Sequence, residues 1–212
     1  MSALERHPVA ELLAADLRAR ILDGDLAAGS PLREVDLAER YRVSRHTLRA
    51  ALRTLTVEGL VRIEPNRGAR VARLERDDLV GLFDVRTALE LEAAHLALER
   101  GEGKLPEAVH RAVDRLEAAC ARGRTWRVVA PLHAEVHGAL VEASGSPRLV
   151  AAYGSLAAEL QLFVVQIRPA WPPERMAEHH RRLVHDLERE GPEPLRTHLR
   201  EGLASVLEAV RG

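Results

Sequence analysis

The segment from Leu32 to Leu60, LREVDLAERYRVSRHTLRAALRTLTVEGL, restricts the fold of this 212-residue chain more than any other. It begins with apolar residues at helical spacing, and RVS then predicts a tight turn. Ser44 is a natural helix N-cap, because its side chain can accept a hydrogen bond from a backbone N–H of the first turn. The sequence therefore predicts two short helices joined by a turn. The residues expected to face inward are Leu32, Val35, Leu37 and Ala38 in the first helix and Leu48, Ala51, Leu52 and Leu55 in the second.

The opposite face of the second helix is polar and basic, with Arg45, His46, Arg49 and Arg53. Eight arginines and only two glutamates lie between positions 42 and 73, although the formal net charge of the whole chain is −1. A helix that exposes polar residues directly after a tight turn matches the recognition helix that enters the major groove of DNA. The simpler alternative is that these arginines only solvate a helix face.

Two short β-type runs follow the second helix in GLVRIEPNRGARVARL. The runs are Leu60 to Ile63 and Ala69 to Val71, and the PNRG between them predicts a turn. Asn66 and Gly68 suit a backbone with positive φ. The sequence therefore predicts a β-hairpin that flanks the two helices as a wing.

The run RILDGDLAAGSPLREVDLAERYRVSRHTLRAALRTLTVEGLVRIEPNRGARV resembles, nearly end to end, the winged helix-turn-helix domain of the GntR family of bacterial transcription regulators. The resemblance implies that the second helix touches bases and phosphates of double-stranded DNA and that the wing approaches the minor groove. Val35 departs from the family, because many members have a polar or basic DNA-contacting residue at that position. The expected DNA-binding residues are Ser44, Arg45, His46, Thr47, Arg49, Arg53, Asn66, Arg67 and Gly68.

The remainder of the chain is typical of a helical bundle. In RLERDDLVGLF, Asp77 and Asp78 can cap and charge the start of a helix that runs to about Arg100. Five further amphipathic segments follow at about 105–122, 126–144, 147–168, 172–190 and 193–211, separated by breaks that contain Gly or Pro. Connections this short predict mostly antiparallel neighbours. The expected fold is mainly α, with a winged helix-turn-helix domain at 1–74 and an antiparallel all-α bundle of about six helices at 75–212.

Two stretches of the second domain, VRTALELEAAHLAL and HAEVHGALVEASGSPRL, resemble the FCD ligand-binding domain of the FadR branch of the same family. In metal-binding members the ligands are an aspartate, a histidine four residues later, and two histidines on the last two long helices. These positions fall on His133, His137, His180 and Gly202, with His198 one turn before Gly202. The resemblance implies that the first three belong to the effector pocket and can hold Zn²⁺, Ni²⁺ or Fe²⁺, with His198 or the effector at an open position. The alternative is a metal-free pocket whose histidines form hydrogen bonds.

Arg86 lies on the first helix of the second domain, where the resemblance implies that it borders the effector pocket. A guanidinium there could clamp a carboxylate effector through two hydrogen bonds. The alternative is a surface ion pair between Arg86 and Glu90, which are four residues apart on a helix. His179 and His185 are expected to lie off the pocket face.

The spacing of His133 and His137 also raises the alternative of a metal-dependent hydrolase. A zincin has a glutamate directly after its first histidine as general base, but this chain has Ala134 there. Glu135 lies about 100° further around the helix, so we do not expect an enzyme. We expect a repressor that binds a palindromic operator as a homodimer and responds to a small-molecule effector. A DNA-binding protein without an effector is the remaining alternative.

No run approaches the roughly 20 apolar residues needed to cross a bilayer, and the N-terminus lacks a basic region followed by an apolar signal core. We therefore expect no membrane contact and a cytoplasmic location. The single cysteine, Cys120, excludes an intramolecular disulfide and a cysteine-based zinc finger.

Overall fold

The computed structural model describes residues 7–64, 67–167 and 172–210. The chain folds as two compact units, Met1–Arg73 and Leu74–Gly212. Both units are mainly helical, and the first also contains a small antiparallel sheet. The predicted fold class, mainly α with an N-terminal winged helix-turn-helix, is therefore confirmed.

Three helices form the body of the first unit. They are α1 (His7–Leu22), α2 (Glu34–Tyr41) and α3 (Arg45–Val57), and α3 packs against the other two. The predicted apolar stripe of α3 is buried, whereas Val35 of α2 is 45% exposed, so the prediction that Val35 faces inward is wrong. At 100° per residue, Val35 lies about 110° around α2 from the midpoint of the buried Leu37 and Ala38.

The wing belongs to a three-stranded antiparallel sheet of β1 (Pro31–Leu32), β2 (Val61–Glu64) and β3 (Gly68–Val71), in the order β1-β3-β2. β2 and β3 form the predicted hairpin, and Gly68 has a φ of 77°, as expected of the turn. β1 has only two residues, too few to show alternation, and is not predicted from the sequence. Asn66, a predicted wing contact, lies outside the described residues.

The described part of the second unit contains seven helices. They are α4 (Arg76–Arg100), α5 (Glu107–Ala121), α6 (Trp126–Ala143), α7 (Pro147–Gly154), α8 (Ala157–Ile167), α9 (Pro173–Glu190) and α10 (Glu193–Val210). Helix contacts run from α4 to α6, α5, α9, α10 and back to α4, which closes a ring. α7 and α8 pack on α6, and α7 also contacts α4.

The segment at 147–168, predicted as one helix, forms two. α7 ends at Gly154 and α8 begins at Ala157, with a bend of 49° between them. Glycine is a poor helix former, and the bend allows both helices to pack against α6. Among the described residues, no single helix is long and apolar enough to cross a membrane, and α7 with α8 meets that test only as a bent pair.

The buried face of α4 contains two charged residues. Arg86 and Glu90 lie between the buried apolar residues Leu82 and Ala93. Val85 is 48% exposed although it is apolar, because the buried stripe passes through its neighbour Arg86. α4 therefore delivers an ion pair into the interior of the second unit.

Glu188 of α9 ties that helix to the segment that precedes α5. Its carboxylate accepts a hydrogen bond of 2.9 Å from the backbone N–H of Leu105 and lies 3.3 Å from His110 Nε2 and 3.8 Å from Lys104 Nζ. Burial alone would raise the pKa of Glu188, but the hydrogen bond from Leu105 and the charges of His110 and Lys104 lower it. The ionised form of Glu188 thus favours the folded state.

Candidate metal centre and nucleic-acid interface

The exposed face of α3 is held in place by its N-cap and its apolar stripe. Ser44 Oγ accepts a hydrogen bond of 3.1 Å from the backbone N–H of Thr47 and lies 2.8 Å from Thr47 Oγ1. The hydroxyl of Ser44 therefore satisfies the helix end, which fixes where the first turn starts. The side chains that project from the opposite face into solvent are Arg45, His46, Arg49 and Arg53.

Two arginines of the first unit make exposed ion pairs. Arg49 Nε donates to Glu34 Oε2 of α2 at 2.8 Å, and Arg67 Nη1 at the wing lies 3.8 Å from Glu64 Oε2. The side chain of Arg49 is 60% exposed, so its charge remains available to an anion. Gly68 is exposed beside Arg67. The described residues that were predicted to touch DNA are thus at the surface, with Thr47 half-buried beneath them.

Three histidines meet inside the ring of helices of the second unit. His133 and His137 come from α6 and His180 from α9, and all three are buried. Each can offer one ring nitrogen such that the three atoms lie within 4.8 Å of one another. We call these residues the inner triad. They line a cavity of about 20 Å³, which is room for a single water molecule or ion.

The charges around the inner triad follow from burial and from the ion pair of α4. Burial lowers the pKa of all three histidines, most strongly for His133 and His180, so their imidazoles are neutral at neutral pH. Burial would raise the pKa of Glu90, but the charge of Arg86 and the contact with His137 outweigh it and lower that pKa to about 2. Glu90 is therefore a carboxylate, and neutral imidazole is the form of histidine that binds metals.

The hydrogen bonds of the triad leave two lone pairs facing each other. His137 Nδ1 lies 2.8 Å from Glu90 Oε2, and because that carboxylate can only accept, the proton is on Nδ1. His180 Nδ1 lies 2.7 Å from the carbonyl oxygen of Met176, so its proton is on Nδ1 as well. The two Nε2 atoms, 3.1 Å apart, then both present lone pairs. This arrangement is repulsive unless a proton or a cation lies between them, and it fits a metal ion.

Three further observations concern the possible ligand positions around this cavity. His133 Nδ1 is buried without a hydrogen-bond partner in the described part of the chain. Gly202, where the family's last histidine is expected, lines the same cavity, and a Cβ there would meet only Phe83 Cε1 at 3.9 Å. The position is therefore open enough for a side chain but supplies no ligand. His198, one turn earlier on α10, is buried against the same cavity, with its ring centroid 4.7 Å from that of His180.

A larger pocket of about 330 Å³ lies on the other side of His133 and His137, between α6, α7 and α8. Arg86 and Tyr153 also line it. The interpretation of Arg86 and Glu90 as a surface pair is wrong: the residues are 3% and 0% exposed, and Arg86 Nε donates to Glu90 Oε1 at 2.6 Å. Burial, together with the charge of Glu90, raises the pKa of Tyr153 well above its usual value, so its phenol is a neutral donor.

The remaining histidines of α9 divide between the cavity and solvent. His179 lines the small cavity and stacks on His198, with centroids 4.0 Å apart, so the prediction that it lies off the pocket is wrong. Adjacent helix positions normally diverge by about 100°, which is why the spacing of His179 and His180 did not indicate a shared cavity. His185 is 61% exposed and lies outside the cavity.

Glu135, the residue considered as a hydrolase general base, is engaged elsewhere. Its carboxylate pairs with Arg115 of α5 and is partly exposed. It does not line the small cavity that the inner triad surrounds, although it lines the larger pocket together with His133 and His137. Its carboxylate is paired with a cation, and the chain lacks the zincin spacing.

Comparison with known proteins covers both units. Residues 9–71 match the family described as bacterial regulatory proteins, gntR family, and residues 81–205 match the FCD domain. The chain is 30% identical, over 97% of its length and 90% of the relative's, to a "Probable D-xylose utilization operon transcriptional repressor" of Paenarthrobacter nicotinovorans. It is 32% identical to the Glc operon transcriptional activator of Escherichia coli (strain K12), over 72% of this chain and 67% of the relative.

Among solved structures, the chain is similar to a transcriptional regulator GntR from Rhodococcus sp. RHA1. The TM-score is 0.76 and the sequence identity 25%, over 94% of this chain and 98% of the other. The similarity thus extends over both the helix-turn-helix and the helical unit.

Proposed function

The chain belongs to the gntR family of bacterial regulatory proteins and carries an FCD domain, and we propose that it is a homodimeric repressor that an effector releases from a palindromic operator. It is a DNA-binding transcriptional regulator that responds to an effector. In this proposal residues 1–74 bind DNA, whereas residues 75–212 bind the effector and form the dimer. A protein that acts on a bacterial operator works in the cytoplasm.

The capped helix α3 carries the proposal for DNA binding. Its buried stripe and its N-cap hold the helix against α1 and α2, while Arg45, His46 and Arg49 remain at the surface of its first turns. Base reading requires side chains that project from these turns into the major groove. In this proposal Arg53 and Arg67 contact phosphates, which position the protein without reading sequence. Ser44 and Thr47 orient the first turn toward the backbone of the DNA.

A homodimer follows from the small size of this reading surface. One helix of this length contacts only a few base pairs, which is insufficient for selection among the competing sites of a genome. Two copies related by a twofold axis would read a palindrome with half-sites about one helical turn apart. The effector acts by linkage. The protein has one arrangement that binds DNA and one that does not, and the effector releases DNA only to the extent that its affinity is higher for the second arrangement.

For the effector domain we propose a divalent metal ion at His133, His137 and His180. The facing Nε2 lone pairs of His137 and His180 support this site, and neutral nitrogen ligands suit Zn²⁺, Ni²⁺ or Fe²⁺. The bound ion would supply a Lewis-acidic position for an effector oxygen. Glu90 accepts from His137 Nδ1 and so directs the ring's other nitrogen into the cavity, as carboxylates do at many metal-bound histidines.

The proposed effector is a small carboxylate bound in the pocket of about 330 Å³ beside Arg86. This volume suits a small molecule. Arg86 and Glu90 cancel in charge and the histidines are neutral, so an ion at the inner triad would place positive charge on one wall of this pocket. Two carboxylates also line the pocket: Glu135 is paired with Arg115, and Glu142 is exposed. A carboxylate could then contact the ion, the Arg86 guanidinium and the neutral phenol of Tyr153.

The DNA part of the proposal is tested by selecting bound sequences from random duplexes with the purified protein and then titrating the selected duplex at several salt concentrations. We expect a palindromic sequence, one dimer per duplex and affinity that falls steeply with salt, because phosphate contacts release counterions. Binding of one chain per duplex, or no enriched sequence, would contradict the proposal.

The effector site is tested separately. Protein purified without chelators should contain metal, and His137→Ala should bind that metal more weakly, whereas His185→Ala on the exposed side of α9 should not. A thermal-shift screen of small organic acids, with and without added Ni²⁺, should then identify ligands whose stabilising effect depends on His137. Equal metal affinity in wild type and His137→Ala would refute the metal site and leave the DNA-binding proposal intact.

A further inference from the structure

The histidine cluster contains a second set of metal-ligating side chains. His179 and His180 of α9 and His198 of α10 can each offer a ring nitrogen such that the three atoms lie within 4.8 Å of one another. We call this set the outer triad. It shares His180 with the inner triad, so five histidines form two overlapping sets of three.

The outer triad lies between the small cavity and a solvent-open groove. His179 and His198 line the cavity, and they also line a groove of about 520 Å³ between α9 and α10. The groove carries carboxylates that could attract a cation, among three arginine side chains. These carboxylates are Asp186, Glu190, Glu193 and Glu201. A divalent ion from solution can therefore reach the outer triad through this groove, which is a route separate from the larger pocket beside His133 and His137.

The outer triad has the supporting contacts that metal-bound histidines usually show. His179 Nε2 lies 2.9 Å from Glu201 Oε2, just as His137 Nδ1 of the inner triad contacts Glu90. A carboxylate at one ring nitrogen directs the other nitrogen toward a metal. His198 Nδ1 is buried without a hydrogen-bond partner among the described residues, which leaves a polar atom for an ion to satisfy.

His180 belongs to both triads and therefore limits how they can bind metal ions. Its Nδ1–H donates to the carbonyl oxygen of Met176, so only Nε2 is available for coordination. One lone pair binds one ion, and the two triads therefore cannot be filled at the same time through His180. We propose that the outer triad is a second metal site, through which a divalent ion is passed by His180 to the inner triad. This inference rests on the metal site in the proposed function.

The geometry makes the outer triad the weaker of the two sites. The rings of His179 and His198 stack at an interplanar angle of 17°, so they must tilt apart before both can direct a lone pair at one ion. His179 is also partly exposed, whereas the inner triad is buried. Because the outer triad binds more weakly, an ion held there either moves to the inner triad or returns to solution.

Co²⁺ is a suitable probe, because its visible absorption reports the number and kind of its ligands. Wild type should bind one Co²⁺ per chain. The double variant His133→Gln/His137→Gln should still bind one Co²⁺, more weakly and with a different spectrum, and adding His198→Gln should abolish that binding. His185→Gln in the same background is the matched control and should retain it. Far-UV circular dichroism and binding to the selected duplex verify that each variant is folded.

A kinetic measurement tests the transfer in a variant whose inner triad is unchanged. When Co²⁺ is mixed with metal-free protein, His179→Gln should slow the appearance of the inner-site spectrum several-fold and leave the final Co²⁺ content unchanged. An unchanged rate would overturn the transfer role.

The outcomes separate this inference from the proposed function. Two ions per chain in wild type would overturn the sharing of His180. Binding by wild type but none by the His133→Gln/His137→Gln variant would overturn the outer site alone. No Co²⁺ in wild type would overturn both metal proposals, while binding to the duplex would still test the regulator.

Discussion

Replacement of Arg49 by alanine separates the stability of the helix-turn-helix from its DNA recognition. The ion pair between Arg49 and Glu34 is exposed, with the arginine side chain 60% and the glutamate side chain 30% accessible, so its loss should destabilise the fold by at most about 1 kcal/mol. A specific arginine–base contact is worth about 1–3 kcal/mol, and the proposed dimer would lose it twice. Arg49→Ala should therefore weaken binding to the selected duplex by about 2–6 kcal/mol, or roughly 30-fold to 2 × 10⁴-fold, which many assays record as abolished.

The assay is fluorescence anisotropy with the selected duplex at several salt concentrations, together with chemical denaturation of the same samples. Glu34→Gln is the control, because it breaks the same ion pair but keeps the Arg49 charge and removes a negative charge near the DNA. It should bind at least as tightly as wild type. If Arg49 contacts phosphate rather than a base, the salt dependence should fall by about one ion per subunit. Unchanged affinity of Arg49→Ala, or equal loss in Glu34→Gln, would refute the assignment of α3 as the reading helix.

Three further predictions concern the stability of the two units. Leu52→Ala in the stripe of α3 should destabilise the first unit by about 2–5 kcal/mol in urea denaturation, whereas Val57→Ala, which is 90% exposed on the same helix, should change it by less than about 0.5 kcal/mol. Glu90→Gln should destabilise the second unit by about 3–5 kcal/mol, because it leaves Arg86 charged and unpaired. Adding Arg86→Met should recover part of this loss. If the destabilisation of the double variant equals the sum of the two single effects, the two residues are not coupled and the prediction is wrong. The pKa of Glu188 is lower in the folded than in the unfolded protein. Its stabilising effect is therefore fully present above the unfolded pKa of about 4.3 and is lost as pH falls through the folded pKa. Wild type should accordingly lose more stability than Glu188→Gln between pH 6 and pH 3.

Local sequence patterns suffice for most of the first unit. The N-cap at Ser44, the stripe from Leu48 to Leu55 and the turn that needs Gly68 all depend on neighbours within a few residues. Strand β1 is different, because it exists only through its pairing with β3, more than thirty positions away. Val35 was misplaced for a related reason: an eight-residue helix has too few turns for periodicity to locate its buried face.

The site of the second unit could be predicted only in part. The family resemblance led to His133, His137, His180 and Arg86, and the structure brings all four around two adjoining cavities. The burial of Glu90 could have been predicted from the sequence, because this residue continues the helical spacing of the buried stripe of α4. A charged residue at a core position usually implies a buried partner. His179 could not be found this way, because its place in the cavity depends on how α9 meets α10.

The histidine at position 133 changes the charge of the site as well as its ligand set. With a divalent ion bound at the proposed site, an aspartate at position 133 would leave the ion, Arg86, Glu90 and that residue with a net charge of +1, whereas His133 would leave them with +2. A buried excess of this size is unfavourable without a counter-charge, so metal and carboxylate should bind better together than either binds alone. Linkage makes that effect reciprocal: the factor by which metal tightens the carboxylate equals the factor by which the carboxylate tightens the metal. If the proposed metal and carboxylate both bind, the histidine at position 133 should therefore make binding of the ion depend more strongly on the effector.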